Sequence, residues 1–216
     1  MIRIVIIDDH SVVADSLEAT LGAQDDLEVV GVANSGTSGL ELVIRHRPDV
    51  ALIDFRLADT TGAELTRSIK EVAPECHSVI LTGTGLERAL LESIDAGAVG
   101  FATKDQRFSE VVAMIRAAAD GKVQFPADLL AKVLPNLRRD PTARSRLSKR
   151  ERDVLAQIAA GFGNAEIGEN LYISVNTVRN HIASILTKLD AKTRGEAVAI
   201  AVREGLITIA EISDPQ

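Results

Sequence analysis

With 216 residues, 46% of them apolar and 25% charged, the chain has room for one large domain or two modest ones and the composition of a globular protein. Its single cysteine, Cys76, excludes an intrachain disulfide; there is no Cys/His metal spacing, signal-peptide pattern or bilayer-length apolar run, which points to a reducing cytoplasm and away from membranes. The net charge of -7 argues against nucleic acid only until it is divided, because residues 1–122 hold 11 Lys and Arg against 20 Asp and Glu, whereas residues 146–203 hold 9 against 6.

From Ile2 to Lys122 short apolar runs alternate with amphipathic stretches, the signature of repeated strand and helix units around a parallel sheet. Five rounds are present. Strands are expected near 2–7, 27–32, 49–54, 78–82 and 98–102, and helices near 11–22, 36–46, 62–72, 86–97 and 108–121. After Gly121 the pattern stops, and Pro126, Pro135 and Pro141 mark residues 123–145 as a linker, with a short helix expected at 127–134. From Ser148 onward the reading is all helix. Ser148 and Glu151 form a capping box for a first helix ended by Gly161 and Gly163. Asn164 is expected to cap a second helix to about Leu171, and Ser174 a third to about Leu189. A fourth spans about Thr193 to Glu204, stopped by Gly205, and residues 208–216 form a tail.

Chemistry-bearing residues collect where the apolar runs end: Asp8 and Asp9 after Ile4–Ile7, Asp54 after Val50–Ile53, Thr82 after Val79–Leu81, and Lys104 shortly after Val99–Ala102. In an open parallel sheet those carboxyl ends form one crevice, so the five can converge on a single ion and phosphoryl group. Clustered carboxylates repel, and a hard cation with oxygen ligands, Mg²⁺ above all, relieves that repulsion. Asp54 is then the natural nucleophile, with Lys104 neutralising charge on the phosphoryl oxygens and the Thr82 hydroxyl donating to one of them. Taken singly, each has a duller reading: an Asp-Asp pair is usually a turn or cap, a lysine is usually solvated, Phe101 can be ordinary core, and His10 reads as a surface residue at a helix start.

These residues resemble the receiver domain of two-component response regulators over residues 1–122, through Ile7-Asp8-Asp9-His10, Leu52-Ile53-Asp54, Gly62, Ile80-Leu81-Thr82 and Phe101 to Lys104. The resemblance implies a flavodoxin-like, doubly wound, five-stranded parallel α/β fold and phosphotransfer from a sensor histidine kinase to Asp54. It also implies Mg²⁺ held by Asp9, Asp54 and the Arg56 backbone carbonyl with help from Asp8, and a switch in which Thr82 and Phe101 move together. Ala58 stands where such receivers usually carry proline, and Gly83-Thr84-Gly85 replaces the commoner small-residue start of the following loop, so an altered phosphoryl lifetime is expected.

In the third carboxyl-terminal helix Val175, Val178, Ile182, Ile185, Leu186 and Leu189 share one face, expected to be buried. The opposite stripe carries Asn176, Arg179, Asn180, Ala183 and Thr187, where Arg can read guanine and Asn adenine. Residues 146–207 resemble the LuxR-type helix-turn-helix of the NarL/FixJ regulators, through Leu147-Ser148, Arg150-Glu151, Thr177-Val178, His181-Ile182, Lys188-Leu189 and Arg194 with Glu196-Ala197. That resemblance implies a small all-α domain of four helices on double-stranded DNA, with Arg179 and Asn180 near bases and Thr177, His181 and Lys188 at the backbone. Homodimers would form through the last helix, around Ala197, Ile200 and Ala201. Gly168 departs from the family's usual alanine and is expected to weaken its helix by about 1 kcal/mol.

The combined expectation is a DNA-binding transcriptional response regulator rather than an enzyme, with at most slow autodephosphorylation. Before phosphorylation the receiver either masks the recognition helix or holds the dimer apart. A stand-alone aspartyl-phosphate phosphatase would need a separate general acid and substrate pocket, which the sequence does not display. A constitutive regulator with a scaffold receiver would have no need of five reactive groups.

Overall fold

The computed structural model describes residues 1–83, 86–126, 129–130, 133, 147–204 and 206–207. The short helix expected at 127–134, the Thr84-Gly85 part of the switch loop, Gly205 and the tail therefore lie largely or wholly outside the described residues.

Five strands, β1 (Ile2–Ile7), β2 (Leu27–Ala33), β3 (Val50–Asp54), β4 (His77–Thr82) and β5 (Gly100–Thr103), pair in parallel in the order β2-β1-β3-β4-β5. Helices α1 (Ser11–Gly22), α2 (Gly36–His46), α3 (Gly62–Val72), α4 (Leu86–Ala96) and α5 (Phe108–Ala119) connect and follow them. The period-two alternation of strand side chains sorts the core into two layers. Ile4, Ile6, Leu52, Val79 and Leu81 pack with α1 and α5 residues, while Val5, Ile7, Ile53, Ile80 and Phe101 pack with α2, α3 and α4 residues. The order reverses at β1 and β3, which carry Asp8 and Asp54 out of their carboxyl ends.

The sheet does not stop at β5. Gln124 bridges to Gly100 in parallel, donating from its amide to the Val99 carbonyl at 2.7 Å and accepting from the Phe101 amide at 3.2 Å. The start of the linker is thus bound to the strand that bears Phe101.

Four helices follow: α6 (Lys149–Ala159), α7 (Asn164–Asn170), α8 (Val175–Leu189) and α9 (Arg194–Arg203). The Ser148/Glu151 capping box and the Ser174 cap form as expected. Gly161 adopts a left-handed φ of +83° just past α6, as its position after the helix requires. Asn164 does not cap α7: the cap is Gly163, whose amide donates to Glu166 Oε2 at 2.8 Å, and the Asn164 side chain instead accepts from Arg194 at 2.9 Å. The apolar face of α8 is buried at Val178, Ile182, Ile185 and Leu189, but Val175, in the first turn, is 40% exposed. Gly168 has a reason the sequence conceals, since a methyl group there would lie 2.8 Å from the Ile173 carbonyl. Its absence lets the turn into α8 fold back on α7.

One apolar cluster includes Phe101 and Leu90 of the receiver, Phe125, Leu130 and Val133 of the linker, and Val154, Ile185 and Ala201 of the helical half. The halves are docked rather than merely tethered.

Candidate functional site

Asp8, Asp54 and Lys104 meet at the carboxyl edge of the sheet. The Lys104 ammonium donates to Asp8 Oδ2 at 2.7 Å and to Asp54 Oδ2 at 2.8 Å, bridging two carboxylates that are nearly sealed from solvent. The strand register explains the meeting. Asp54 pairs with Leu81, the neighbour of Thr82, and Thr82 pairs with Thr103, the neighbour of Lys104, whose amide donates to the Thr82 carbonyl at 2.9 Å. Thr82 and Phe101 are both buried.

Burial pushes the Asp54 carboxyl above its ordinary range; the Lys104 hydrogen bond pulls it down and the Asp8 charge pushes it up again. Lys104 is itself disfavoured by burial, but its bonds to Asp54 and Asp8 outweigh that and raise it.

Asp9 Oδ1 is buried and makes no hydrogen bond, although His10 Nδ1 is 2.9 Å away. Asp8, Asp9, His10 and Asp54 each offer a ligand atom, all within 4.8 Å of one another. An oxygen-rich set with one orphaned buried oxygen suits a hard divalent cation. His10, read from sequence as a surface residue at a helix start, does stand just before α1, without a side-chain cap, and is largely exposed, yet its ring leans over the cluster to within 3.2 Å of Asp8 and 3.6 Å of Asp54. Only adjacency to the acidic pair hinted at this.

The loop after β3 is held despite Ala58. Arg56 bridges to Thr61 and donates from its amide to Asp54 Oδ1 at 3.3 Å, and Gly62 donates to the Phe55 carbonyl at 2.8 Å. A side chain at Gly62 would press to 2.7 Å from the Asp54 carbonyl, so only glycine lets α3 start this close to the aspartate. Asp59, one residue past Ala58, reaches across to α2 and accepts from the amides of Gly36 and Thr37 at 2.8 and 2.9 Å. Those bonds hold its carboxyl down to about 2. This tie pins the turn that contains Ala58 to the start of α2, and the sequence does not announce it.

On α8, Asn176, Arg179, Asn180 and Ala183 are exposed in a row, with Thr177 and His181 half-buried beside them. Thr177 shares a 2.8 Å hydroxyl contact with the Ser174 cap. Lys188, expected at the DNA backbone, holds both oxygens of the buried Glu151 at 2.7 Å while its side chain stays 38% exposed. Tyr172, in the turn before α8, is 94% exposed with a left-handed φ of +55°. Sequence reasoning passed over it, although the sole tyrosine of the chain in the turn of a helix-turn-helix is a usable signal.

Ala197, Ile200 and Ala201 of α9 are buried within this single chain. The helix packs on α6 and α8 and on α4 of the receiver. Among the described residues, no helix is long and apolar enough to cross a membrane.

Residues 4–116 match the response regulator receiver domain family, and residues 145–201 match the LuxR family of bacterial regulatory proteins. The transcriptional regulatory protein LiaR of Bacillus subtilis is 37% identical over 210 residues, covering 96% of this chain and all of that protein. Among solved structures, the response regulator ChrA of a heme-sensing two-component system is 30% identical with a TM-score of 0.52, covering 95% of this chain and 98% of its own. The receiver domain of a NarL response regulator from Mycobacterium tuberculosis is 28% identical with a TM-score of 0.54, covering 56% of this chain and 98% of its own. With both modules matched in order and whole-length relatives above 30% identity, the chain belongs to the LuxR-family DNA-binding response regulators of two-component systems.

Proposed function

We propose that Asp54 accepts a phosphoryl group from a sensor histidine kinase and that this event controls dimerisation on DNA. The observation that carries the reading is the Lys104 ammonium shared between Asp8 and Asp54 at the sheet's carboxyl edge. An Asp54 oxygen attacks phosphorus as the bond to the donor histidine nitrogen breaks. Lys104 exchanges a carboxylate partner for a phosphoryl oxygen, and the Thr82 hydroxyl donates to another. Asp9, Asp54 and the Arg56 carbonyl, with Asp8 beside them, would hold Mg²⁺, which supplies charge neutralisation at the phosphoryl oxygens. The orphaned Asp9 oxygen supports that assignment. The same groups favour transfer and slow hydrolysis over turnover of external substrates.

Of the two modes of restraint the sequence left open, burial favours the second. Asn176, Arg179, Asn180 and Ala183 are exposed, whereas the dimer-forming face of α9 is covered by α4 and by its own domain. A shift of Thr82 and Phe101 would act on α4 and, through the Phe101–Gln124 hydrogen bond, on the linker. Released α9 would then pair two copies and present two recognition helices to adjacent major grooves, which matters because a charge of +3 over 146–203 supports only modest binding by one copy.

The test compares wild type with Asp54→Asn, with and without a small-molecule phosphodonor and Mg²⁺. Phosphodonor is expected to label wild type stoichiometrically, convert it to a dimer and tighten operator binding, and to do none of these to the variant. Identical DNA binding by both proteins in both conditions would refute phosphorylation control.

A further inference from the structure

The two halves of the chain meet around a cleft of about 500 Å³ whose charged lining is Lys70, Arg179, Lys192 and Arg194 against Glu75 and Asp120. His77 of β4 and Arg194 of α9 are half-buried within it, and Lys70 of α3 and Arg179 of α8 are exposed at its rim. Among the described residues their partners are neutral or absent. Lys70 donates to the Lys192 carbonyl at 3.3 Å; Arg194 donates to the Gly121 carbonyl at 3.1 Å and to Asn164 Oδ1 at 2.9 Å. Among the described residues none of these four side chains has a carboxylate within 4.0 Å. The acids that share the wall are Glu75 and Asp120, and the latter is 3.6 Å from Lys122.

Such an arrangement is poor glue. Burial lowers the basicity of His77, with the Arg194 charge adding to it against Glu75 and Asp49, so the imidazole is held in its neutral form; burial and the Arg179 charge likewise lower Arg194, so the two arginines repel where the domains touch. Two glycines also keep the wall open. A methyl group at Gly97 would lie 3.2 Å from Lys70 Nζ, and one at Gly121 would lie 3.5 Å from His77 Nε2 and 3.6 Å from Arg194 Nη1. Both have left-handed φ, +98° and +71°, which disfavours side chains there, and at Gly97 the close contact adds to it.

We propose that this interdomain cleft binds a small multivalent anion carrying phosphate groups, held by Lys70 and His77 from the receiver and by Arg179 and Arg194 from the helical half. Arg offers a planar fork and Lys a point charge, the pairing suited to phosphate oxygens. The volume falls within the roughly 300–1,000 Å³ typical of small-molecule sites, enough for a phosphorylated metabolite. Because the ligand touches both halves, it stabilises their docking and opposes release of α9 by linkage. The site is independent of the role of Asp54.

The test titrates the full chain, without Mg²⁺ or phosphodonor, with inorganic pyrophosphate in 0.15 M chloride, followed by calorimetry and amide NMR. Saturable one-to-one binding with Kd at or below about 0.1 mM is expected, with shifts at Lys70, His77, Gly121 and Arg194. Lys70→Gln and Arg194→Lys should each weaken it about tenfold, whereas Asn180→Ala on the exposed α8 face leaves it unchanged. Should either variant melt early, His77→Gln supplies the same comparison from the receiver side. Binding that fails to saturate, ignores the receiver-side changes, or shifts only the exposed face of α8 overturns the proposal, the last outcome marking a DNA-phosphate surface instead.

Discussion

Glu151 is a buried carboxylate that accepts four hydrogen bonds from three donors: the Ser148 amide at 2.7 Å, the Ser184 hydroxyl at 2.6 Å and the Lys188 ammonium on both oxygens at 2.7 Å. Burial alone would raise its carboxyl, but the Lys188, Ser184 and Ser148 bonds win and hold it at about 2, below its ordinary 4.5. A depressed carboxyl stabilises the fold fully above 4.5, and the contribution is lost as pH falls from there toward 2. Protection of the α6 and α8 amides, taken relative to their intrinsic exchange rates, should therefore fall between those limits. Glu151→Gln should flatten that dependence and destabilise the helical half by about 2 kcal/mol at neutral pH, as denaturant unfolding would read. Asp59 acts on a different site by the same chemistry. Its replacement by alanine removes the bonds to Gly36 and Thr37, and with the Ala58 turn no longer pinned, Mg²⁺ affinity in a calorimetric titration should fall by about tenfold.

At the scale of elements, α7 and its turn are shaped by a missing side chain. Gly168→Ala would raise helix propensity by about 1 kcal/mol yet drive a methyl into the Ile173 carbonyl, so thermal unfolding should show net destabilisation of about 1–3 kcal/mol. Unchanged or increased stability would mean that the turn yields. This glycine shows where sequence reading ends. Strand and helix positions were legible because alternation and capping are local: Ser148 with Glu151, Ser174 with Thr177, and the apolar runs that end at Asp8, Asp54 and Thr82. The convergence of Asp8, Asp54 and Lys104 was legible too, since parallel topology dictates it. What stayed hidden depends on neighbours distant in sequence: Lys188 turning to Glu151, Asn164 turning to Arg194, Asp59 capping α2, and Gln124 joining the sheet. No local pattern encodes those partners.

For the whole molecule, docking runs through the start of α9. The Thr193 hydroxyl donates at 2.9 Å to the carbonyl of Ile94 in α4, in a buried contact spanning 99 residues of sequence. Next to it the Phe125 ring lies where a Gly195 side chain would be, at 2.8 Å. Gly195→Ala should push that ring away and loosen the halves without touching the phosphoryl site or the exposed stripe of α8. Unphosphorylated G195A is expected to give larger small-angle scattering dimensions and at least about fivefold tighter operator binding than wild type. If the dimensions grow while DNA affinity does not, docking is not the restraint.

The Gln124 bridge also bears on how the receiver can be isolated. A fragment ending at Lys122 would strip the outer rim of β5, baring the Val99 carbonyl and the Phe101 amide on an unprotected margin that invites strand-to-strand association between copies. Cutting beyond Phe125 keeps that margin sealed, so any self-association such a fragment still displays would come from its helices or from the outer edge of β2.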